Sequence, residues 1–185
     1  MFKKSLIALA LTAAAASSFA QVYVQGAVGQ GNINVDWGST ATNTKNSASG
    51  SKFLVGYELS NGWSVEGLVI NYGKSIGTVS AVNGEVKASG YGIGGAYTQQ
   101  ADKWLFRAGA ALNSNKLAIG VAAGTLTATA AQTSAQANLN LGVGYKINDT
   151  FHVTADYDFS NAKYGTGSGS TAGVSLLSIG LRAKF

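Results

Sequence analysis

Segments of alternating hydrophobicity, connections that alternate between short and long, and a complete absence of proline together predict an all-β fold: an eight-stranded antiparallel up-and-down transmembrane β-barrel. Alternation with period two places apolar and polar side chains on opposite faces of a strand. A tilted strand needs about 9–11 residues to cross a bilayer, and proline cannot donate to its ladder. Composition agrees with this. Of the 185 residues only 11% are charged and 46% are apolar, against about 25% charged in soluble domains, so intrinsic disorder is excluded. Without cysteine and with the single histidine His152, disulfide frameworks, the usual zinc sites and cysteine nucleophiles are excluded too.

Lys3 and Lys4 form a basic start, Leu6 to Ala16 is apolar, and Ser18-Phe19-Ala20 presents small residues where a signal peptidase reads. The apolar run is well short of the roughly 20 residues a spanning helix needs. Residues 1–20 therefore read as a cleavable signal peptide and residues 21–185 as one barrel domain. Loss of two of the 13 basic residues leaves 11 − 8 = +3, too weak and dispersed a charge for nucleic-acid binding.

The first segment, near Val22 to Gln30, loses its phase around Gly29 to Gly31, as at a bulge. The second, Lys52 to Leu59, and the third, Trp63 to Tyr72, are joined by Ser60-Asn61-Gly62; in the third the apolar Leu68 and Ile70 fall on the inward face. The fourth, Lys87 to Tyr97, carries a glycine run that nearly spells a dinucleotide fingerprint, but no helix follows it. Thr98 to Lys103 leads into the fifth, Trp104 to Leu112, and the sixth spans Ser134 to Ile147. Asn148 to Thr150 opens the seventh, in which Phe151, Val153, Ala155, Tyr157 and Phe159 share one face and His152, Thr154, Asp156 and Asp158 the other. The eighth, Val174 to Phe185, alternates Leu177, Ile179, Leu181, Ala183 and Phe185 against Ser178, Gly180, Arg182 and Lys184.

The remaining connections, Asp36 to Ser51, Gly73 to Val86, Asn113 to Thr133 and Ser160 to Gly173, are long. Tight turns on the periplasmic side and longer loops outside are the asymmetry of outer-membrane barrels, which points to the outer membrane of a Gram-negative bacterium. A soluble lipocalin-like barrel would turn apolar side chains inward. Here the polar faces carry Glu66, Arg107, Asp156 and Arg182, and charge is costly against lipid, so the apolar faces point outward. Trp63, Trp104, Tyr57, Tyr97, Tyr145 and Phe151 flank the short turns, where an interfacial aromatic girdle belongs.

The C-terminal run Leu177 to Phe185, ending in Phe185, resembles the closing strand that outer-membrane proteins present to their assembly machinery. Val55-Gly56-Tyr57-Glu58-Leu59, Asn61-Gly62-Trp63-Ser64-Val65-Glu66 and Ala155-Asp156-Tyr157-Asp158-Phe159 are similar to strands of the OmpA/OmpX/opacity-protein group of eight-stranded barrels, a likeness that covers nearly all of residues 21–185. In the OmpA barrel, interior acids and bases link the strands. The resemblance implies that Glu66, Arg107 and Asp156 hold three of those positions, with Arg182 and Lys184 standing in for two basic partners that have no direct counterpart. It also implies a non-enzymatic surface protein without a cofactor, with a structural or adhesive role through its loops. A small porin-like diffusion channel is the alternative, and a lipid-modifying enzyme comes third. The implied partners are outer-membrane lipid and lipopolysaccharide, the assembly machinery, and a host or surface ligand.

The interior charges read either as plug and glue or as a gate, and eight strands leave an interior about wide enough for side chains to fill. Inward glycines, Gly56, Gly90, Gly92, Gly94, Gly109, Gly142, Gly144 and Gly180, would leave water-filled space. His152, Thr154 and Asp156 share a face, but same-face neighbours lie about 6.6 Å apart, beyond the roughly 3 Å reach of base and nucleophile. Ser160-Asn161 resembles part of a lipid A deacylase motif, yet Asp158 stands where that motif has histidine. Six lysines, Lys45, Lys52, Lys74, Lys87, Lys116 and Lys163, are placed on the outer rim, as a lipopolysaccharide-facing set or a solvated fringe. The third long connection, with Leu117, Ile119, Val121 and Leu126, is expected to rise as a hairpin and to offer an apolar contact surface.

Overall fold

The computed structural model of the protein describes residues 21–35, 37, 40–79, 82–124, 126–164 and 170–185. The signal-peptide expectation for residues 1–20 lies outside the described residues. Among them the strands are β1 (Gln21–Asn34), β2 (Ala41–Lys45), β3 (Ser47–Glu58), β4 (Trp63–Val79), β5 (Val82–Ala101), β6 (Trp104–Ala123), β7 (Leu126–Lys146), β8 (Phe151–Tyr164) and β9 (Ser170–Lys184). Each neighbour is antiparallel, in the order β4-β3-β1-β9-β8-β7-β6-β5, and the additional β4–β5 pairing returns the sheet to its start. Eight strands thus close a barrel, and β2 is a short ninth that lies along the outer end of β4, with Ala41 opposite Val79. Closure satisfies every edge that would otherwise leave peptide groups unpaired in lipid.

The alternation read from sequence sets the two faces. Val153, Tyr157, Phe159, Leu177, Ile179 and Leu181 are exposed, while His152, Thr154, Asp156, Asp158, Ser178 and Arg182 are buried in the lumen. From Trp104 to Ser114 the outward face of β6 rises ten residue steps, about 26 Å at ~3.4 Å per residue and ~40° tilt, which matches the roughly 25 Å apolar band of such barrels. At its periplasmic edge Trp63 packs on Tyr97 with ring centroids 5.3 Å apart, and Trp104 on Tyr145 at 5.2 Å.

Three expectations need correction. The first strand has no bulge: β1 keeps one register against β3 from Gln21–Glu58 to Asn32–Ser47. Its phase looked lost because Gly29 and Gly31 occupy inward positions where a Cβ would lie 1.9 Å from the Leu177 carbonyl oxygen and 1.8 Å from that of Tyr72. The bulge lies instead in β4 between Asn71 and Gly73, where Gly73 takes φ +83° and donates its N–H to Asn71 Oδ1 at 2.9 Å. Secondly, Gly73 to Val86 is largely not a loop, since β4 and β5 stay paired out to Val79–Val82. Its inward positions Ser75, Gly77 and Gly84 are buried against Trp37 but too small to mark a face by polarity. Thirdly, the interior is not polar throughout. Ile33, Ile70, Tyr72, Val86, Leu117, Val174 and Leu176 form a buried apolar cluster in the outer half of the lumen, which is where the inward Leu68 and Ile70 belong.

The third long connection forms the expected hairpin, with β6 and β7 paired as far as Ala123–Leu126. β8 leaves β7 at Ser160–Asn138, so the upper part of β7 has a β neighbour on one side only among the described residues. Residues 126–133 are exposed on both faces.

Candidate functional site

Two chemical sites follow from this frame, one inside the barrel and one on its outer rim. Inside, inward positions of seven strands converge on one set of charges. Glu66 of β4 accepts hydrogen bonds from Arg107 Nη2, from Tyr23 Oη, and from Ser64 Oγ at 3.2 Å. Arg107 Nη1 also lies 4.0 Å from Asp156 Oδ1. Asp156 accepts from Gln25 Nε2 at 2.6 Å, and Gln25 Oε1 in turn accepts from Arg182 Nε and Nη2 at 3.0 and 2.8 Å. The Arg182 guanidinium sits 4.6 Å above the Tyr23 ring, which closes the circuit back to Glu66.

Lys52 corrects the sequence reading. It is expected on the rim, but its side chain is 1% exposed and its Nζ lies 2.6 Å from Asp158 Oδ2 and 3.7 Å from Asp156 Oδ1. Period two would have found it, because Lys52 shares parity with the inward Leu54 and Gly56. Asp158, left out of the expected network, joins it through Lys52 and through Asn140 Nδ2 at 3.1 Å. Lys184 moves the other way. It pairs with Glu58 at 2.9 Å at the periplasmic end, both side chains 29% exposed, and does not reach the network. Lys52, Arg107 and Arg182 thus face Glu66, Asp156 and Asp158, three charges of each sign. Buried ions are tolerated when they are paired and hydrogen-bonded in this way.

The glycine positions do not leave open space. A Cβ on Gly56 would lie 2.2 Å from the Tyr23 ring, and one on Gly90 or Gly92 would lie 2.1 Å from the amide oxygen of Asn115 or Asn113. Large inward residues on one strand fill the hollows of its neighbours. Two cavities flank Arg107, each of about 10 Å³, at or below the size that admits one water. His152 Nδ1 and Thr154 Oγ1 are buried without a hydrogen-bond partner among the described residues.

Above the lumen, the Trp37 indole lies over Gly77 and Gly84, an opposed pair in β4 and β5, where added Cβ atoms would come within 2.5 and 2.4 Å of its ring. Its Nε1 donates to Ser75 Oγ at 3.0 Å and to Asn46 Oδ1 at 3.3 Å. The first extracellular connection is thereby fastened over the apolar half of the interior, a contact with no period-two signal in the sequence.

On the outside, Lys45, Lys74, Lys87, Lys116 and Lys163 are exposed. Glu85 bridges Lys74 at 2.9 Å and Lys87 at 2.6 Å. Those hydrogen bonds, Lys87 first and then Lys74, hold its carboxyl below the usual glutamate range. At the other end, Phe185 donates its N–H to the Val22 carbonyl at 2.8 Å, locking the last residue to β1 with an exposed ring.

The whole barrel has known structural counterparts. Neisserial surface protein A aligns with 89% of this chain and 97% of its own at 20% identity and a TM-score of 0.67. Ail, the attachment invasion locus protein of Yersinia pestis, in complex with the heparin analogue sucrose octasulfate, aligns with 90% and 97% at 14% identity and 0.59. OprG of Pseudomonas aeruginosa aligns with 89% and 95% at 14% identity and 0.51. These likenesses concern the fold. A comparison with curated protein sequences finds no match. Residues 5–185 match the outer membrane protein beta-barrel domain, so the chain belongs to that family and is a protein of the Gram-negative outer membrane.

Proposed function

We propose that the protein is a non-enzymatic surface-interaction barrel: a closed, ionically plugged stake that presents its outer hairpins to a ligand. The observation that carries this reading is the β6–β7 hairpin. It extends nine residues beyond Ser114 to Ala123, about 30 Å of further strand, and no charged residue lies between Lys116 and Lys146. Of the apolar residues expected there, Leu117 is buried in the interior cluster, but Val121 and Leu126 are exposed. An edge strand without charge or proline is open to pairing with another chain. Ail, a barrel of this fold, has been solved in complex with the heparin analogue sucrose octasulfate.

The ionic network, the packed glycine positions and the small cavities favour a plug over a diffusion pore. The lysines Lys45, Lys74, Lys87, Lys116 and Lys163 serve as a lipopolysaccharide-facing fringe, and the C-terminal strand ending in Phe185 as the signal to the assembly machinery. The test is adhesion of cells displaying the protein, with and without residues 119–127. Loss of surface binding with heat-modifiable folding intact is expected. Unaltered binding overturns the reading, and steady conductance of the refolded mature chain in planar bilayers would favour the pore.

A further inference from the structure

The register of β3 to β6 stacks four outward rows in chemical order. The lowest, Val55–Gly67–Ile93–Leu112, is apolar, and the next is Phe53–Val69–Tyr91–Ser114. Above them Ser51–Asn71–Ser89–Lys116 is polar with one cation, and Lys74–Lys87–Ala118 follows with two. The two apolar rows enclose a depression of about 520 Å³ on the lipid-facing surface, whose floor is Gly67. A Cβ there would meet nothing within 4 Å. A second depression of about 570 Å³ continues upward from Val69 past Asn71 and Ser89 to Lys74 and Lys87. From Gly67 to Lys74 the strand rises six steps once the bulge is discounted, about 16 Å at the same rise and tilt. Of that rise only the two steps from Gly67 to Val69, about 5 Å, lie in the apolar band, and the rest follows the polar rows, so the surface matches the junction of a headgroup with the upper methylenes of an acyl chain.

The upper rows are short of negative charge. Lys74 stands directly opposite Lys87, a like-charge pairing that is unfavourable in a sheet. Glu85 alone bridges them, and Lys116 lies one row below on the neighbouring strand. Three cations face one carboxylate, immediately above the top of the apolar band and over the Gly67 trough. The hydroxyls and amide of Ser51, Ser89 and Asn71 lie between the two.

We propose that this surface is the seat of a single lipopolysaccharide molecule, with a phosphate on Lys74, Lys87 and Lys116, sugar hydroxyls against the Asn71–Ser89 row, and one acyl chain in the Gly67 trough. The proposal rests on the reading of the outward lysines as a lipopolysaccharide-facing fringe and narrows it to one site. Charged phosphate oxygens take charge-assisted hydrogen bonds from ammonium groups, and the trough buries methylenes that the bilayer would otherwise cover.

Native mass spectrometry of the mature chain in detergent tests this with bisphosphorylated lipid A, its dephosphorylated form and inorganic phosphate as probes. One lipid A per barrel is expected. The triple variant K74A/K87A/K116A should weaken lipid A binding by about tenfold or more, whereas K45A/K163A should leave it nearly unchanged. Gly67→Phe, or Gly67→Leu if the larger ring hinders folding, should weaken lipid A binding several-fold without altering the response to phosphate. Glu85→Gln should tighten binding. Several lipids per barrel, with all five lysines contributing alike and Gly67→Phe without effect, would overturn the seat while leaving the fringe reading intact. Binding that depends on no lysine would overturn both.

Discussion

Replacing Lys52 with methionine separates an interior cation from a rim cation. The ammonium lies 2.6 Å from Asp158 and 3.7 Å from Asp156, and at an effective dielectric of about 20 the nearer contact alone is worth about 6 kcal/mol. Desolvation of both ions opposes that gain, so the net worth of the pair is small. The loss on truncation is not small, because two carboxylates are left facing each other in the lumen with only Arg107 near Asp156. Such truncations cost about 3–5 kcal/mol. An exposed rim lysine would cost about 0–1 kcal/mol. Urea unfolding of the refolded barrel in lipid vesicles, followed by tryptophan fluorescence, reads the difference. Adding Asp158→Asn to Lys52→Met should recover much of the loss, since the remaining orphan charge is then relieved. A loss below about 1 kcal/mol for Lys52→Met, or additive losses in the double variant, would refute the network.

Three further outcomes are expected. Gly77→Leu drives a side chain into the Trp37 indole, whose ring lies 2.5 Å from the added Cβ; limited proteolysis should cut the first extracellular connection faster while barrel unfolding changes little. Asn148 Oδ1 accepts the backbone N–H groups of Thr150 and Phe151 at 3.0 and 2.7 Å, so Asn148→Ala should cost about 1 kcal/mol in the same urea assay. The Glu85 carboxyl, held below its usual range by Lys87 and Lys74, should titrate by NMR below the ~4.3 of a free glutamate. Its folded value lies under its unfolded one, so whatever it adds to the hairpin is present at neutral pH and lost only as acid passes beneath the ordinary carboxylate range; Lys87→Ala should raise the midpoint.

The barrel was legible because lipid on one side and a narrow lumen on the other write the same period-two rule into every strand. Phe151 to Phe159 and Leu177 to Phe185 follow it without a break, and the structure keeps their faces. The rule failed where side chains are missing or very small. Gly29 and Gly31 carry no side chain to mark the phase of β1, and between Gly73 and Val86 the inward Ser75, Gly77 and Gly84 are too small to contrast with the outward face. Lys52 carries a charge near a strand start, as a rim lysine would, yet its parity with Leu54 turns it inward. Trp37 on its glycine platform joins segments about 40 residues apart through a ring contact, and no local pattern announces such a contact.

The central claim is the partition of the two faces, and spin labels test it most directly. With labels at Tyr157 and Leu181, both exposed on the outer wall, collisions with dissolved oxygen should exceed those with a water-soluble nickel chelate in vesicle-embedded barrel. Aqueous collisions dominating at both positions would contradict the account.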